Sequence, residues 1–380
     1  MDFSFSADQI AIRDLAQQIF TDSATDEFLL SFDRNDDVYD NTLWKTLGEQ
    51  GLLGITIPEE FGGTGLGLTE LCMLLEEQGR RVAPIPLFAS LVLGALPIIE
   101  FGSTAQKEKY LTPLASGDKK LTAAISELGV SQAAAGRINA SQKGEQWILN
   151  GQLDFVVDGL YADAILVPAT NSDGKQTVFI IDSEQLALTG QQSSLGLKEA
   201  SITLNNVTVN SDAVLGNAGD GESILAWLEL RAELALCAQQ VGITEEAVKR
   251  TAEFTCERKQ FGAPIGSFQA VAMQAADAYI DVEAIRSSYW LALYKIESAQ
   301  DARSEVRIAK WYAAEAGHRV VYRTQHLHGG IGADIEYPIH RYFLWAKHVG
   351  MILGGRSVQI EKLGALLASD DSIGLQSLRV

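Results

Sequence analysis

The sequence predicts an α+β protein with a strand-rich middle between two helical segments. Three observations carry this. Apolar residues recur at helical spacing before about residue 120 and again after about residue 219. Between them, short β-branched and aromatic runs are punctuated by Asn-Gly and Asp-Gly turns. That middle holds too few helical stretches for parallel crossovers, so an antiparallel barrel or sandwich is expected. The expected parts are an N-terminal helical domain (1–120), a middle antiparallel β-domain (121–218) and a C-terminal helical bundle (219–380).

The elements follow in chain order. Phe3 and Phe5 precede Ser6, a helix N-cap, and Ile10, Ile12, Leu15, Ile19 and Phe20 then mark a helix face. Residues 43–53 repeat the pattern. A third helix covers 68–81 and ends before Pro84 and Pro86. Strand-like runs follow at 147–149, 164–167, 177–181 and 201–209, with turns at Asn150-Gly151, Asp158-Gly159 and Asp173-Gly174. Long amphipathic stretches occupy 222–250, 269–298 and 301–327.

Composition narrows the function. The formal net charge is −19, which argues against a nucleic acid or an anionic membrane as partner. No apolar run of membrane-spanning length and no signal-peptide pattern occurs. Only Cys72, Cys237 and Cys256 are present, which fits a reduced cytoplasm rather than a disulfide framework.

Several motifs could carry chemistry. Gly62-Gly63-Thr64-Gly65-Leu66-Gly67 has the look of a phosphate loop, but no strand precedes it, and a tight turn needing positive φ is the better reading. His326 and His328 lack the further ligands a metal centre needs, so no metal is expected. The segment from Arg258 to Gln269 places Arg258 and Lys259 beside Phe261 and Phe268, between two helices. An arginine there can fork onto a pyrophosphate, or basic residues can simply face a helix C-terminus. At His328-Gly329-Gly330-Ile331-Gly332 a helix ends in glycines. These allow a flat or anionic ligand to approach the backbone, or serve only as a C-cap.

Taken together, these motifs resemble the acyl-CoA dehydrogenases over nearly the whole chain. Arg258-x-Gln260-Phe261-Gly262-x-Pro264-Ile265-x-x-Phe268-Gln269 is unbroken, and Gly329-Gly330-x-Gly332 and Glu336-Tyr337-Pro338 follow. Trp44, Gly51-Leu52-Leu53-Gly54 and Pro58-Glu59-Glu60-Phe61-Gly62-Gly63 match the family's first domain, and Ser126-Glu127 and Leu149-Asn150-Gly151 its β-domain. The resemblance implies FAD as cofactor, an acyl-CoA substrate and an electron-transferring flavoprotein as electron acceptor. It implies Arg258 on the FAD diphosphate. It places Gln260, Phe261, Ile265, Phe268 and His326 along the same cofactor, with Gly329 and Gly330 admitting it to the backbone. Ile125 and Ser126 would flank the flavin ring. In this family the arginine loop serves a neighbouring subunit's FAD, so a homotetramer, or an α2β2 assembly with a homologous chain, is implied.

The departures from the family pattern are specific. The late position of the catalytic base carries Leu353, and the alternative position on the helix opening the third domain carries Ala232. Glu233, beside it, is the candidate base, although it stands where an arginine is common. Ser131, Gln132 and Ala133 replace part of the usual loop after Ser126-Glu127, and Val157 replaces a hydroxyl residue. Gly65-Leu66-Gly67-Leu68 and Ala83-Pro84-Ile85-Pro86 are similar to the subgroup in which two different chains pair in steroid side-chain degradation. The expected activity is thus acyl-CoA α,β-dehydrogenation, with two rivals: a non-catalytic partner that completes a flavin site, or an acyl-CoA elimination that needs no such base.

Overall fold

The computed structural model describes residues 5–35, 39–130, 137–193, 198–370 and 372–373. Phe3 and the segment holding Ser131, Gln132 and Ala133 lie outside them. The chain divides into two compact units, Met1–Asp36, Cys72–Ala83 and Glu233–Val380 in one, Asp37–Leu71 and Pro84–Ala232 in the other. The division falls within two helices, α4 (Leu68–Arg81) and α7 (Gly221–Glu257).

The first unit is helical. Helix α1 (Ala7–Ser23) opens with a capping box, in which the Ser6 hydroxyl accepts from Gln9 N–H and the Gln9 side chain accepts from Ser6 N–H. A short α2 (Asp26–Arg34) follows, capped by Thr25. The long helices are α7, α8 (Gln269–Glu297) and α9 (Arg303–His328), and α10 (Pro338–Met351) and α11 (Arg356–Ser369) close the unit. Glycine sets one contact: a Cβ on Gly242 would lie 1.9 Å from the Glu76 carbonyl oxygen, and one on Gly79 2.2 Å from that of Gln239. The backbones of α4 and α7 therefore touch, and only glycine fits there. An ion network beside it joins Arg80 to Glu76, Glu77 and Glu245, and Glu245 to Arg286.

The second unit holds α3 (Asn41–Glu49), a fully buried π-helical stretch Phe88–Ala95, α5 (Leu96–Phe101), α6 (Thr104–Ala115) and the sheet. Its strands are β1 (Leu121–Ala123), β2 (Ile138–Lys143), β3 (Gln146–Val156), β4 (Ala164–Asn171), β5 (Gln176–Asp182), β6 (Ala187–Gln192), β7 (Lys198–Asn210) and β8 (Val214–Leu215). They run in the order β6-β7-β3-β2-β4-β5-β8, with β1 also on β4. The sheet is antiparallel except that β4 pairs in parallel with β1 and β2. This departs from the purely antiparallel expectation. The connections from β1 and β2 to β4 are long enough to return the chain in the same direction, which a tight hairpin cannot do. Trp147 and Phe179, edge to face at 5.4 Å, sit in the sheet's apolar core. The 62–67 glycine run is a turn, as expected: Gly62 and Gly65 have φ of 86° and 65°, and a Cβ on Gly63 would lie 2.0 Å from the Ile57 carbonyl oxygen.

Candidate functional site

In the first unit, α7 ends at Glu257 and the chain turns through a small hairpin, β9 (Lys259–Gln260) against β10 (Ala263–Pro264). Its two turn residues, Phe261 and Gly262, have φ of 53° and 80°. A left-handed phenylalanine costs on the order of 1 kcal/mol or more. The strain leaves Phe261 94% exposed, edge to face with Phe268 at 6.1 Å. The turn is anchored from below: Arg258 N–H donates to the Phe254 carbonyl at 2.8 Å, and Ile265 N–H to the Arg258 carbonyl at 2.8 Å. Arg258 and Gln260 are exposed, and Ile265 is half-buried. A cation, two aromatic rings and an amide are thus presented outward with little apolar cover.

The end of α9 provides the companion surface. Gly329 has φ 67°, and a Cβ added at Gly329 or Gly330 would meet nothing within 4 Å, so their backbone is open to a ligand. Gly332 is different, because its Cβ would strike the Gln325 carbonyl at 2.4 Å, and its own carbonyl accepts from Gln325 Nε2 at 2.9 Å. His326 is exposed, with Nδ1 3.2 Å from Gln274 Oε1. His328 faces the interior: it is 5% exposed and stacks on Phe254 at 4.2 Å. Two residues apart on a helix, the two imidazoles point to different surroundings and do not share a ligand. Among the described residues no group of three or more His, Cys, Asp or Glu side chains could hold a metal ion. The Phe254–His328 contact brings the roots of the Arg258 turn and of the glycine turn together.

In the second unit, Ile125 and Ser126 follow β1. Ile125 as a whole is buried, at 3% exposure, so it supports the Ser126 position from beneath. The Ser126 hydroxyl donates to the Asp154 carbonyl at 2.7 Å, which leaves its lone pairs and backbone N–H to offer. Thr122 Oγ donates in turn to the Val157 carbonyl at 2.7 Å. Between these anchored positions lies Phe155, at an irregularity in the β3–β7 pairing, with φ 57° and 59% exposure. Sequence reasoning passes over it, because an aromatic inside a strand run reads as core. Strain plus exposure set it apart from a core aromatic.

Glu233 lies in neither group. Its side chain is fully buried, paired with Arg307, with Oε1 accepting from Gln359 Nε2 at 2.8 Å and 3.5 Å from Lys362 Nζ. Gln359 Nε2 also donates to the Leu353 carbonyl at 3.0 Å. Nearby, Lys310 is buried with Nζ donating to the Val349 and Gly350 carbonyls at the end of α10. Burial pushes its ammonium down to about 8. A carboxylate already engaged by a guanidinium and an amide is not free to take a substrate proton. The geometry is that of a buried ion pair; Arg307, Gln359 and Lys362, far away in sequence, gave no sign of it. Ala232 is 0% exposed and Leu353, at φ 57°, is 4% exposed.

The comparisons with known proteins define the class. Residues 6–118 match the acyl-CoA dehydrogenase N-terminal domain and residues 230–367 the acyl-CoA dehydrogenase C-terminal domain. The chain belongs to the acyl-CoA dehydrogenase family, FAD-dependent oxidoreductases that act on the CH–CH bond of acyl-CoA thioesters. It is similar to acyl-CoA dehydrogenase FadE27 of Mycobacterium tuberculosis, with 33% identity over 97% of this chain and 99% of the relative. Among solved structures it is similar to the Tcur3481-Tcur3483 steroid ACAD (TM-score 0.87, 42% identity, 95% of this chain and 98% of that one). It is also similar to the ChsE4-ChsE5 complex from Mycobacterium tuberculosis (TM-score 0.91, 33% identity, 97% and 100%). Among the described residues no helix is long and apolar enough to cross a membrane.

Proposed function

We propose that this chain is one subunit of a two-chain, FAD-dependent acyl-CoA dehydrogenase acting on steroid side-chain thioesters, and that its own catalytic base is absent. The observation that carries the reading is the pair of buried apolar residues, Ala232 and Leu353, at the two positions where the family pattern puts a carboxylate. Glu233, the only carboxylate directly beside either, is held in its ion pair with Arg307. Two of the similar structures are described by a pair of names, one of them as a steroid enzyme, which supports the pairing and the substrate class. The three-part division at 120 and 218, a cytoplasmic location and electron transfer to an electron-transferring flavoprotein belong to the same proposal.

The residues fit FAD. Arg258 would fork onto the diphosphate, Gly329 and Gly330 would offer unhindered backbone N–H groups, and Phe261 and Phe268 would cover apolar surface of the cofactor. Gln260, Ile265 and His326 would lie along it. Ser126, its hydroxyl fixed, would present its N–H to a ring edge, with Ile125 packed beneath it and Phe155 offering a stacking face. Bound FAD supplies a two-electron acceptor for the β-hydride. The chain's residues would hold that acceptor in place. Removal of the α-proton falls to a carboxylate of the homologous chain.

Two measurements bear on this. Arg258→Ala removes a charge-assisted contact of roughly 1.5–3 kcal/mol, so FAD retention is expected to fall about ten- to a hundred-fold in equilibrium dialysis. Unchanged flavin content in that variant rejects the diphosphate assignment. The missing base is tested by acyl-CoA bleaching of the flavin in the chain alone and in the co-assembled pair. Bleaching by the chain alone at the pair's rate overturns it.

A further inference from the structure

His328 is the junction of three segments. Its ring stacks on Phe254 in the last turn of α7, at 4.2 Å and 27° between planes. Its Nε2 lies 3.2 Å from Thr251 Oγ, one turn earlier on the same helix. Its Nδ1 lies 3.1 Å from the Tyr337 hydroxyl, just before α10. Gly329 follows it directly.

The hydrogen bonds fix the tautomer. Thr251 has one hydroxyl proton, and it goes to the Ala247 carbonyl at 2.7 Å. The Thr251 oxygen therefore accepts from His328 Nε2–H. Nδ1 is left as the acceptor, and the Tyr337 O–H donates to it. The ring's hydrogen-bonding groups are thereby used, and its direct partners, Thr251, Phe254 and Tyr337, carry no charge. Burial agrees with this, holding the imidazole down to about 4, well below its ordinary value.

Both cofactor-facing turns hang from this ring. The Phe254 carbonyl holds Arg258 N–H, so a shift of Phe254 reaches the guanidinium's backbone in one hydrogen bond. On the other side the next residue is the left-handed Gly329 that opens the glycine turn.

We infer that His328 is a positioning residue: as the tautomer protonated on Nε2, it fixes the spacing between Arg258 and the Gly329-Gly330 backbone, so that both engage one diphosphate. The inference rests on the assignment of those two turns to FAD. His328 does not touch the cofactor; it acts by removing the freedom of one turn relative to the other, so that binding does not have to order them.

The test is a double-mutant cycle read by FAD affinity of the full-length, deflavinated protein in its native assembly. His328→Leu keeps apolar volume against Phe254 and removes both hydrogen bonds. It is expected to weaken FAD about tenfold, with His328→Gln, which keeps an N–H for Thr251, recovering part of the loss. In the Arg258→Ala background the same His328→Leu change is expected to cost less than about threefold, because there is no guanidinium left to align. Equal losses in both backgrounds mean that His328 only supports the fold, and they overturn the inference. No loss from Arg258→Ala by itself rejects the diphosphate assignment instead. Should His328→Leu fail to fold, Tyr337→Phe deletes only the hydrogen bond to Nδ1 at nearly constant volume, Thr251→Val deletes the one to Nε2 together with the Thr251–Ala247 bond inside α7, and either completes the same cycle. Imidazole ¹⁵N shifts of the deflavinated protein are expected to show the Nε2–H tautomer, and an Nδ1–H ring overturns the hydrogen-bond scheme.

Discussion

Reduction of the bound flavin by an acyl-CoA is expected to be about 10²–10⁴-fold slower in this chain alone than in the proposed pair with a homologous chain. That range is the usual worth of a positioned general base. The expectation follows from chemistry at two positions. A base needs a carboxylate or imidazole within hydrogen-bond reach of the α-proton, and Ala232 and Leu353 have no titratable atom. A buried carboxyl in an apolar surrounding acquires a raised pKa and becomes a competent base at neutral pH. Glu233 is buried too, but its carboxylate is engaged by Arg307 and Gln359. Stopped-flow absorbance of the flavin band, with the chain alone and after mixing with a homologous chain that carries the base, separates the cases. Rapid bleaching by the single chain removes the two-chain reading.

The second large effect is on stability. Glu233→Gln is expected to destabilise the protein by roughly 3–5 kcal/mol, because it removes a buried negative charge from the Arg307 guanidinium and from Lys362 nearby. Arg307 has only 13% of its side chain exposed, so solvent screens little of that loss. Urea denaturation of the variant reads it as a lower midpoint. Wherever the variant remains folded, flavin reduction in the pair is expected to stay near normal. A variant of unchanged stability with reduction slowed a hundred-fold would instead identify Glu233 as the base.

Much of this architecture was legible from local chemistry. Ser6 announced its helix because a hydroxyl before an apolar face satisfies an otherwise unpaired N–H, and the capping box confirms it. The helix at 68–81 was bounded by its prolines and glycines, and the long helices after 219 by their apolar spacing. The π-helical stretch Phe88–Ala95 was not legible, because a segment apolar on every side carries no periodicity to read. The parallel pairing of β1 with β4 was likewise hidden, since register between distant strands leaves no local mark. At the site, the glycine and arginine turns could be read from residue type. The Phe155 surface and the Glu233–Arg307 pair could not. One depends on a backbone distortion, the other on partners more than seventy positions apart.

Helix α7 has a consequence for motion. Every residue from 232 to 244 is buried, so this stretch has no face toward water, and Gly242 presses its backbone against the Glu76 carbonyl. Such a segment cannot open by fraying, since each amide lies under packed side chains on all sides. Its amide hydrogens should exchange with deuterium only through global unfolding, while those of the exposed turn residues Phe261 and Gly262 exchange far faster. Slowest exchange elsewhere than 232–244 would mean that the most persistent part of the fold lies outside this helix.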